Sequence, residues 1–257
     1  MKKVGKRLIH ISIIFLLTIL TLSTSFVSPA PAAAQSVSFQ TLAAGTKYAT
    51  KLYIIRSNNP GPVVMFVGGV HGNEPAGYKA ANIVKDYTIK KGTLLVIPNA
   101  NLPADRIGNR TSSGSFDLNR CFPRTSRESA DNVLSKAIYS AVKRYDVDWL
   151  VDMHEGVNYT SVKSSSSVGQ SLIYYPDSAT RNISQRIVSS LNQNISTSYK
   201  KFSLLTYPVQ GSLSRASGQF LGVNTFIFET CSRQLLSTRV GYQLKAAGIL
   251  LSSLGMR

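Results

Sequence analysis

Val63-Val64-Met65-Phe66-Val67-Gly68-Gly69-Val70-His71-Gly72-Asn73-Glu74-Pro75-Ala76-Gly77 is the stretch around which the rest of the chain is organised. Its apolar run, Val63 to Val67, is bounded by Pro62 and Gly68 and reads as a buried strand. Pro75 opens a helix, because proline suits the first helical position. His71 therefore sits on the strand-to-helix loop and Glu74 at the helix start. Their three-residue offset across a turn brings both side chains to one point, and the glycines let the backbone pass close to whatever is held there. An imidazole and a carboxylate converging at a strand exit are two of the three protein ligands of a catalytic zinc. A His-x-x-Glu by itself is more often a surface helix pair, so a third ligand, a base and a substrate clamp must come from elsewhere in the chain.

Outward from this stretch, strands and helices alternate. Val37 to Leu42 is a short first strand. Thr46 to Arg56 follows, alternating Tyr48, Leu52 and Ile54 with polar residues, and closes at the turn Ser57-Asn58-Asn59-Pro60-Gly61. Val63 to Val67 is expected to pair with it as a hairpin. Helical spacing covers Ala76 to Ile89, and Thr93 to Ile97 is a buried strand. Asn99 to Thr125 has no periodicity, and a loop of that length in a compact domain is usually functional. A helix capped by Ser126 is expected to run to Tyr145. Val147 to Met153 is a strand ending at His154, and Lys163 to Ser167 is a serine-rich mobile loop. Leu172 to Tyr175 is a short strand, Ala179 to Ile195 a helix, Asn224 to Phe228 a strand ending at Glu229, and Leu235 to Leu254 a final helix. The fold class is α/β: a mixed, mostly parallel twisted sheet with helices on both faces.

In such sheets the site lies beyond the carboxyl ends of the strands. Three ends carry unusual residues: His71 with Glu74, then His154, then Glu229. The chain has three histidines, and the remaining one, His10, precedes the fold. Either strand-exit histidine alone reads as a structural one; both together with Glu74 read as a metal site that leaves a fourth position for water. Glu229 follows the strand residues Thr225-Phe226-Ile227-Phe228 and is the candidate general base. Glu155 is the rival, although it would have to reverse direction from its neighbour His154. In the long loop, Asn119 and Arg120 can hold a carboxylate, and Arg110 can face an oxygen that becomes negative. Asp117 can fix the tautomer of His71. Without the metal signal, Asp117-Leu118-Asn119-Arg120 would be read as a turn.

The N-terminal segment 1–34 has the three parts of a secretory signal. Lys2, Lys3, Lys6 and Arg7 come first, then an apolar run from Leu8 to Val27, then small residues before Gln35. An uncleaved anchor helix is the alternative. Residues 35–257 then form one domain at an extracellular or wall-associated location. Removing the four basic residues of the signal from 29 Lys and Arg, against 12 Asp and Glu, leaves 25 − 12 = +13. That charge is spread along the chain with no arginine tract, which argues against nucleic acid as partner and for an anionic wall polymer, or simply a solvated surface. Cys121 and Cys231 are the only cysteines; in an oxidising compartment they are expected to form a disulfide beside the clamp and the base.

The set His71-x-x-Glu74, Arg110, Asp117-x-Asn119-Arg120, His154 and Glu229 resembles the zinc carboxypeptidase superfamily, which includes the succinylglutamate desuccinylase and aspartoacylase group. The resemblance implies Zn2+ held by His71, Glu74 and His154, with Arg110 as oxyanion partner. It also implies Asn119 and Arg120 as the clamp for a substrate carboxylate and Glu229 as general base. Tyr207 falls where the carboxypeptidases place a tyrosine that closes over substrate. The implied activity is a metallocarboxypeptidase acting on small peptides, similar to compact bacterial enzymes that trim cell-wall peptides. A deacylase of N-acyl amino acids is the alternative, and a wall-binding module with a relict site the non-enzymatic one. By the same resemblance, the loop Gly211 to Gly218 lines the side-chain pocket, where Arg215 would suit an acidic or polar group.

Overall fold

In the computed structural model, the described residues are 35–112, 116–162 and 166–257. The expected signal segment and part of the serine-rich loop lie outside them. Eight strands form one sheet: β1 (Ser36–Leu42), β2 (Thr50–Arg56), β3 (Val63–Gly68), β4 (Thr93–Ile97), β5 (Trp149–Gly156), β6 (Ser171–Tyr174), β7 (Ser203–Thr206) and β8 (Asn224–Cys231). Their spatial order is β1-β2-β4-β3-β5-β8-β6-β7. The centre, β4-β3-β5-β8, is parallel, while β1-β2, β2-β4 and β8-β6 are antiparallel pairs. The mixed, mostly parallel α/β sheet is therefore as expected. The hairpin is not the expected one: β2 pairs with β1, and β4 is inserted between β2 and β3. Four of the five residues of β4 are fully buried, which fits a central strand and not an edge.

Helices α1 (Pro75–Val84), α4 (Ser178–Asn192) and α6 (Leu236–Ser253) cover one face, packed on Phe66, Val151, Met153, Phe226 and Phe228. Helices α3 (Val133–Arg144) and α5 (Leu213–Leu221) cover the other, packed on Met65, Val67, Leu95 and Leu150. A short α2 (Leu102–Ile107) and a 3-10 turn (Leu118–Arg120) structure the segment read as loop. Helix α1 stops five residues before the expected Ile89. Helix α3 starts later than expected: Arg124 pairs with Glu128 and Asp131 in the preceding loop, and Asn132, not Ser126, caps the helix in a reciprocal box with Ser135. Strand β7 and helix α5 were not read from the sequence.

Alternation along a strand decides which residues meet. Along β5, Leu150 packs with the α3/α5 face, and Asp152 and His154 follow at period two. Val151 and Met153 pack with the α1/α6 face, and Glu155 follows them. His154 pairs directly with Glu229 of β8, so those two side chains share a face while Glu155 turns away from both.

Candidate active site

At the carboxyl ends of β3, β5 and β8 a cavity of about 640 Å³ opens, lined by His71, Glu74, Arg110, Asn119, Arg120, His154, Tyr207 and Glu229 among others. Its floor starts with the loop after β3. Gly72 leaves no room for a side chain, because a Cβ there would lie 2.0 Å from the Ala104 carbonyl oxygen. The loop thus packs down on α2 and presents His71 and Glu74 inward.

The Glu74 carboxylate lies between two imidazoles: His71 Nδ1 is 2.7 Å from Oε1 and His154 Nδ1 is 2.8 Å from Oε2. The donor atoms of His71, Glu74 and His154 lie within 4.8 Å of one another, and all three residues are buried. Each imidazole has a further carboxylate behind it. His71 Nε2 is 2.9 Å from Asp117 Oδ1, and His154 Nε2 is 3.0 Å from Asp152 Oδ1, off the line a hydrogen bond needs. A carboxylate behind each imidazole, with both Nδ1 atoms turned to one carboxylate, is the arrangement that orients histidines for a metal. The donor set of two imidazoles and one carboxylate fits zinc. Asp117 was expected behind His71; Asp152, fully buried, was missed. Its signal is the period-two spacing to His154, which puts both on one strand face.

Electrostatics follow from this nesting. Burial acts to raise the Glu74 pKa, but His154 and His71 together hold it well below the usual carboxylate range. Burial opposes charge on His154, yet Asp152 and Glu74 keep its pKa well above the ordinary imidazole value. Glu229 has no such balance. Burial pushes its carboxyl up to about 8, opposed by His154 and reinforced by Glu74 and Asp152, and its Oε2 has no hydrogen-bond partner. A carboxylate poised near neutral pH in a cleft is suited to proton transfer.

Glu155 serves another purpose. Its backbone N–H donates to Glu74 Oε2 at 2.9 Å, and its side chain accepts from the Ala76 N–H at 2.6 Å and from Arg239 of α6. It clasps the start of α1 from the far face of the sheet. One helical turn after Arg239, Gln243 donates to the carbonyls of His154 at 2.9 Å and Phe228 at 3.3 Å. Helix α6 thus reaches under both strand exits that carry His154 and Glu229.

The substrate side is looser. Arg110 donates to Asp117 Oδ2 at 2.9 and 3.2 Å and lies 3.5 Å from Glu74 Oε1. Burial acts to raise the Asp117 pKa, but His71 and Arg110 hold it well below its ordinary value. Asn119 is buried with its Oδ1 unpartnered, and Arg120, exposed, donates to the Asn119 carbonyl at 2.8 Å. Both line the cavity beside the cluster. Tyr207 stands at the rim with a left-handed backbone, φ 59°, and is 59% exposed. Two expectations are corrected. Gly211 to Gly218 is not a loop, because Ser212 caps α5 there, and Arg215 lies outside the cavity wall. Cys121 and Cys231 are free buried thiols. Cys121 Sγ turns back to the Asp117 carbonyl at 3.2 Å, whereas Cys231 closes β8 against Gly169, so closeness in sequence to the clamp and base does not join them.

Residues 60–170 match the family model of the succinylglutamate desuccinylase/aspartoacylase catalytic domain. No curated protein matches the chain in sequence. Among solved structures, the chain is similar to the mDAP-bound form of Helicobacter pylori Csd4, a D,L-carboxypeptidase, at 22% identity and TM-score 0.67, covering 77% of this chain and 52% of that one. It is similar to a succinylglutamate desuccinylase/aspartoacylase from Rhodobacter sphaeroides at 19% identity and TM-score 0.62, covering 86% and 66%. The ectoine utilization protein EutE from Ruegeria pomeroyi, in a product-bound structure, matches at 19% identity and TM-score 0.62, covering 89% and 70%. The chain thus spans about half the length of Csd4. These likenesses share one fold with this chain, and the residues matched by the family model include His71, Glu74, Arg110, Asn119, Arg120 and His154 of the expected set.

Proposed function

We propose that the protein is a zinc-dependent hydrolase that cuts an amide bond next to a free carboxylate, acting as a carboxypeptidase on small peptides; the match of residues 60–170 to the succinylglutamate desuccinylase/aspartoacylase catalytic domain supports the reading. One observation carries the reading: a buried His-Glu-His cluster, an unpartnered Glu229 oxygen and two guanidiniums line one cavity. His71, Glu74 and His154 would hold the metal. Bound zinc acidifies a water molecule and polarises a carbonyl.

The chain's own groups supply the rest. Asn119 and Arg120 hold the substrate carboxylate, which fixes the scissile bond over the cluster. Arg110 faces the carbonyl oxygen as it gains charge. Glu229 takes a proton from the attacking water and returns it to the leaving nitrogen. Tyr207 covers the bound residue from the rim.

The same machinery serves a deacylase of N-acyl amino acids, the second reading, and the match to the desuccinylase/aspartoacylase domain supports it. Export rests on the basic, apolar and small-residue order of segment 1–34. The charge of +13 left after it suits a substrate presented on an anionic wall polymer.

The test is metal content together with turnover. The protein should bind one zinc, and His154→Ala should lose metal and activity together. A peptide with a free carboxyl end should be hydrolysed and its amidated twin left intact. Full zinc occupancy in His154→Ala, or normal cleavage of the amide, refutes the assignment.

A further inference from the structure

Beyond Glu229 the cavity continues over a part of the sheet that no sequence motif marked. Strand register fixes which side chains face it. In the antiparallel pair β6 and β8, Ser171 lies opposite Glu229 and Ile173 opposite Ile227. In the parallel pair β6 and β7, Ile173 lies beside Leu205. Paired residues share a face, so Ile227, Ile173 and Leu205 form a row on the Glu229 side, one step back along the strand from the base. All three line the same cavity as the metal cluster, joined by Val209 from the segment after β7.

This row holds no charge. The expected source of one, Arg215, projects from α5 and is engaged elsewhere. Its guanidinium lies 5.4 Å from the Tyr175 ring centre and 5.1 Å from that of Tyr207, and its Nε donates to Gln219 Oε1 at 2.6 Å. It braces the rim tyrosine from behind. Among the described residues, the acidic groups lining the cavity are Glu74, Glu155 and Glu229, and each already belongs to the metal cluster, the α1 clasp or the base.

We propose that Ile173, Leu205, Val209 and Ile227 form the pocket for the side chain next to the scissile amide, and that the residue released is apolar and uncharged, of about leucine or methionine size. The proposal rests on the reading that Asn119 and Arg120 hold the carboxylate of that same residue, which points its side chain away from the zinc cluster and along β8. A charged side chain would shed its hydration there and find no partner. An apolar one gains about fourfold per buried methylene.

The test is a matched panel in which Leu, Met, Ala, Glu or Lys carries the free carboxylate, prepared both as dipeptides and as N-acetyl amino acids. Leu and Met should exceed Glu and Lys by at least tenfold in kcat/KM. Leu205→Arg, on a half-buried edge strand, should raise Glu relative to Leu by about tenfold. Val209→Asp, at a position 43% exposed, should do the same for Lys. A wild-type preference for Glu or Lys, or rankings unmoved in both variants, overturns the pocket. If only the N-acetyl series is cut, the peptidase reading fails while the ranking still scores the pocket. Calorimetric binding of free leucine, glutamate and lysine to the zinc-loaded protein ranks the pocket without any turnover.

Discussion

His71, Glu74 and His154 are each at most 6% exposed, and every ring nitrogen faces a carboxylate. Across the same cavity Arg110, Arg120 and Tyr207 are open to solvent. The metal half stands on the exits of three buried strands, braced from beneath by Glu155, Arg239 and Gln243. The substrate half stands on a 3-10 turn and a rim segment. The difference teaches that folding alone pairs the groups of the one half, whereas in the other the guanidiniums stay open to solvent and a buried amide oxygen stays unpaired. Arg110 shares Asp117 with His71, and Asn119 keeps a buried oxygen unpaired. Substitutions in the metal half should therefore change metal binding and kcat, and those in the clamp mainly KM.

The largest effect should come from Glu229→Gln. The amide keeps the shape but cannot accept the proton, so kcat should fall by about 10² to 10⁴ while zinc stays bound. Zinc loss in this variant would place Glu229 among the ligands and dissolve the division between cluster and base. Activity retained in Glu229→Gln but lost in Glu155→Gln with zinc still bound would move the base to the other face of the sheet.

Arg120→Ala comes next. A charge-assisted hydrogen bond to a carboxylate contributes about 1.5–3 kcal/mol, so KM should rise by about ten- to a hundredfold with kcat little changed. If kcat falls and KM does not move, Arg120 acts on the reacting atoms and the two halves are not separable in this way.

The same contrast governs what could be read from the sequence. The cluster was legible because strands rich in apolar residues, Trp149 to Met153 and Phe226 to Phe228, end abruptly in His154 and Glu229, and buried parallel strands leave that mark. Asp152 was hidden inside such a run, although its spacing to His154 was available. The rim was harder to read. Strand β7 is four residues long and half-buried, so it has no apolar signature. Helix α5 is rich in serine and glycine, which are weak helix formers. Tertiary packing overrides that weakness: a Cβ at Gly218 would lie 2.7 Å from Tyr175 Cβ, and Ser214 bonds Thr225 at 2.9 Å. Small residues were needed for the helix to seat on the sheet, and they disguised it as a loop. The disulfide failed for a related reason, since nearness to site residues along the chain says nothing about where a thiol points.

The smallest effect tests whether the metal half carries a cost in stability. Asp105 of α2 backs the loop that presents His71; a Cβ on Gly69 would lie 2.6 Å from its Oδ2. That oxygen accepts from Asn99 Nδ2 at 2.9 Å, while Oδ1 is buried without a partner. Burial pushes the Asp105 carboxyl from 3.8 up to about 7, and the Asn99 bond opposes the rise. The folded chain therefore holds a proton there that the unfolded chain has released between those two values. The stability tied to that proton is full below about pH 4 and drains as pH rises toward 7. Asp105→Asn is neutral throughout and keeps an oxygen for Asn99. Relative to wild type it should gain stability as pH rises, on the order of 2 kcal/mol by pH 8 after allowance for partial solvent access, and gain little at pH 4. Denaturant unfolding of both proteins at pH 4, 6 and 8, in the absence of zinc, measures the difference, and groups titrating alike in the two proteins cancel. A constant offset across the three pH values would mean that Asp105 is already ionised in the folded protein, and that the loop behind His71 is held without the burial cost assigned to it.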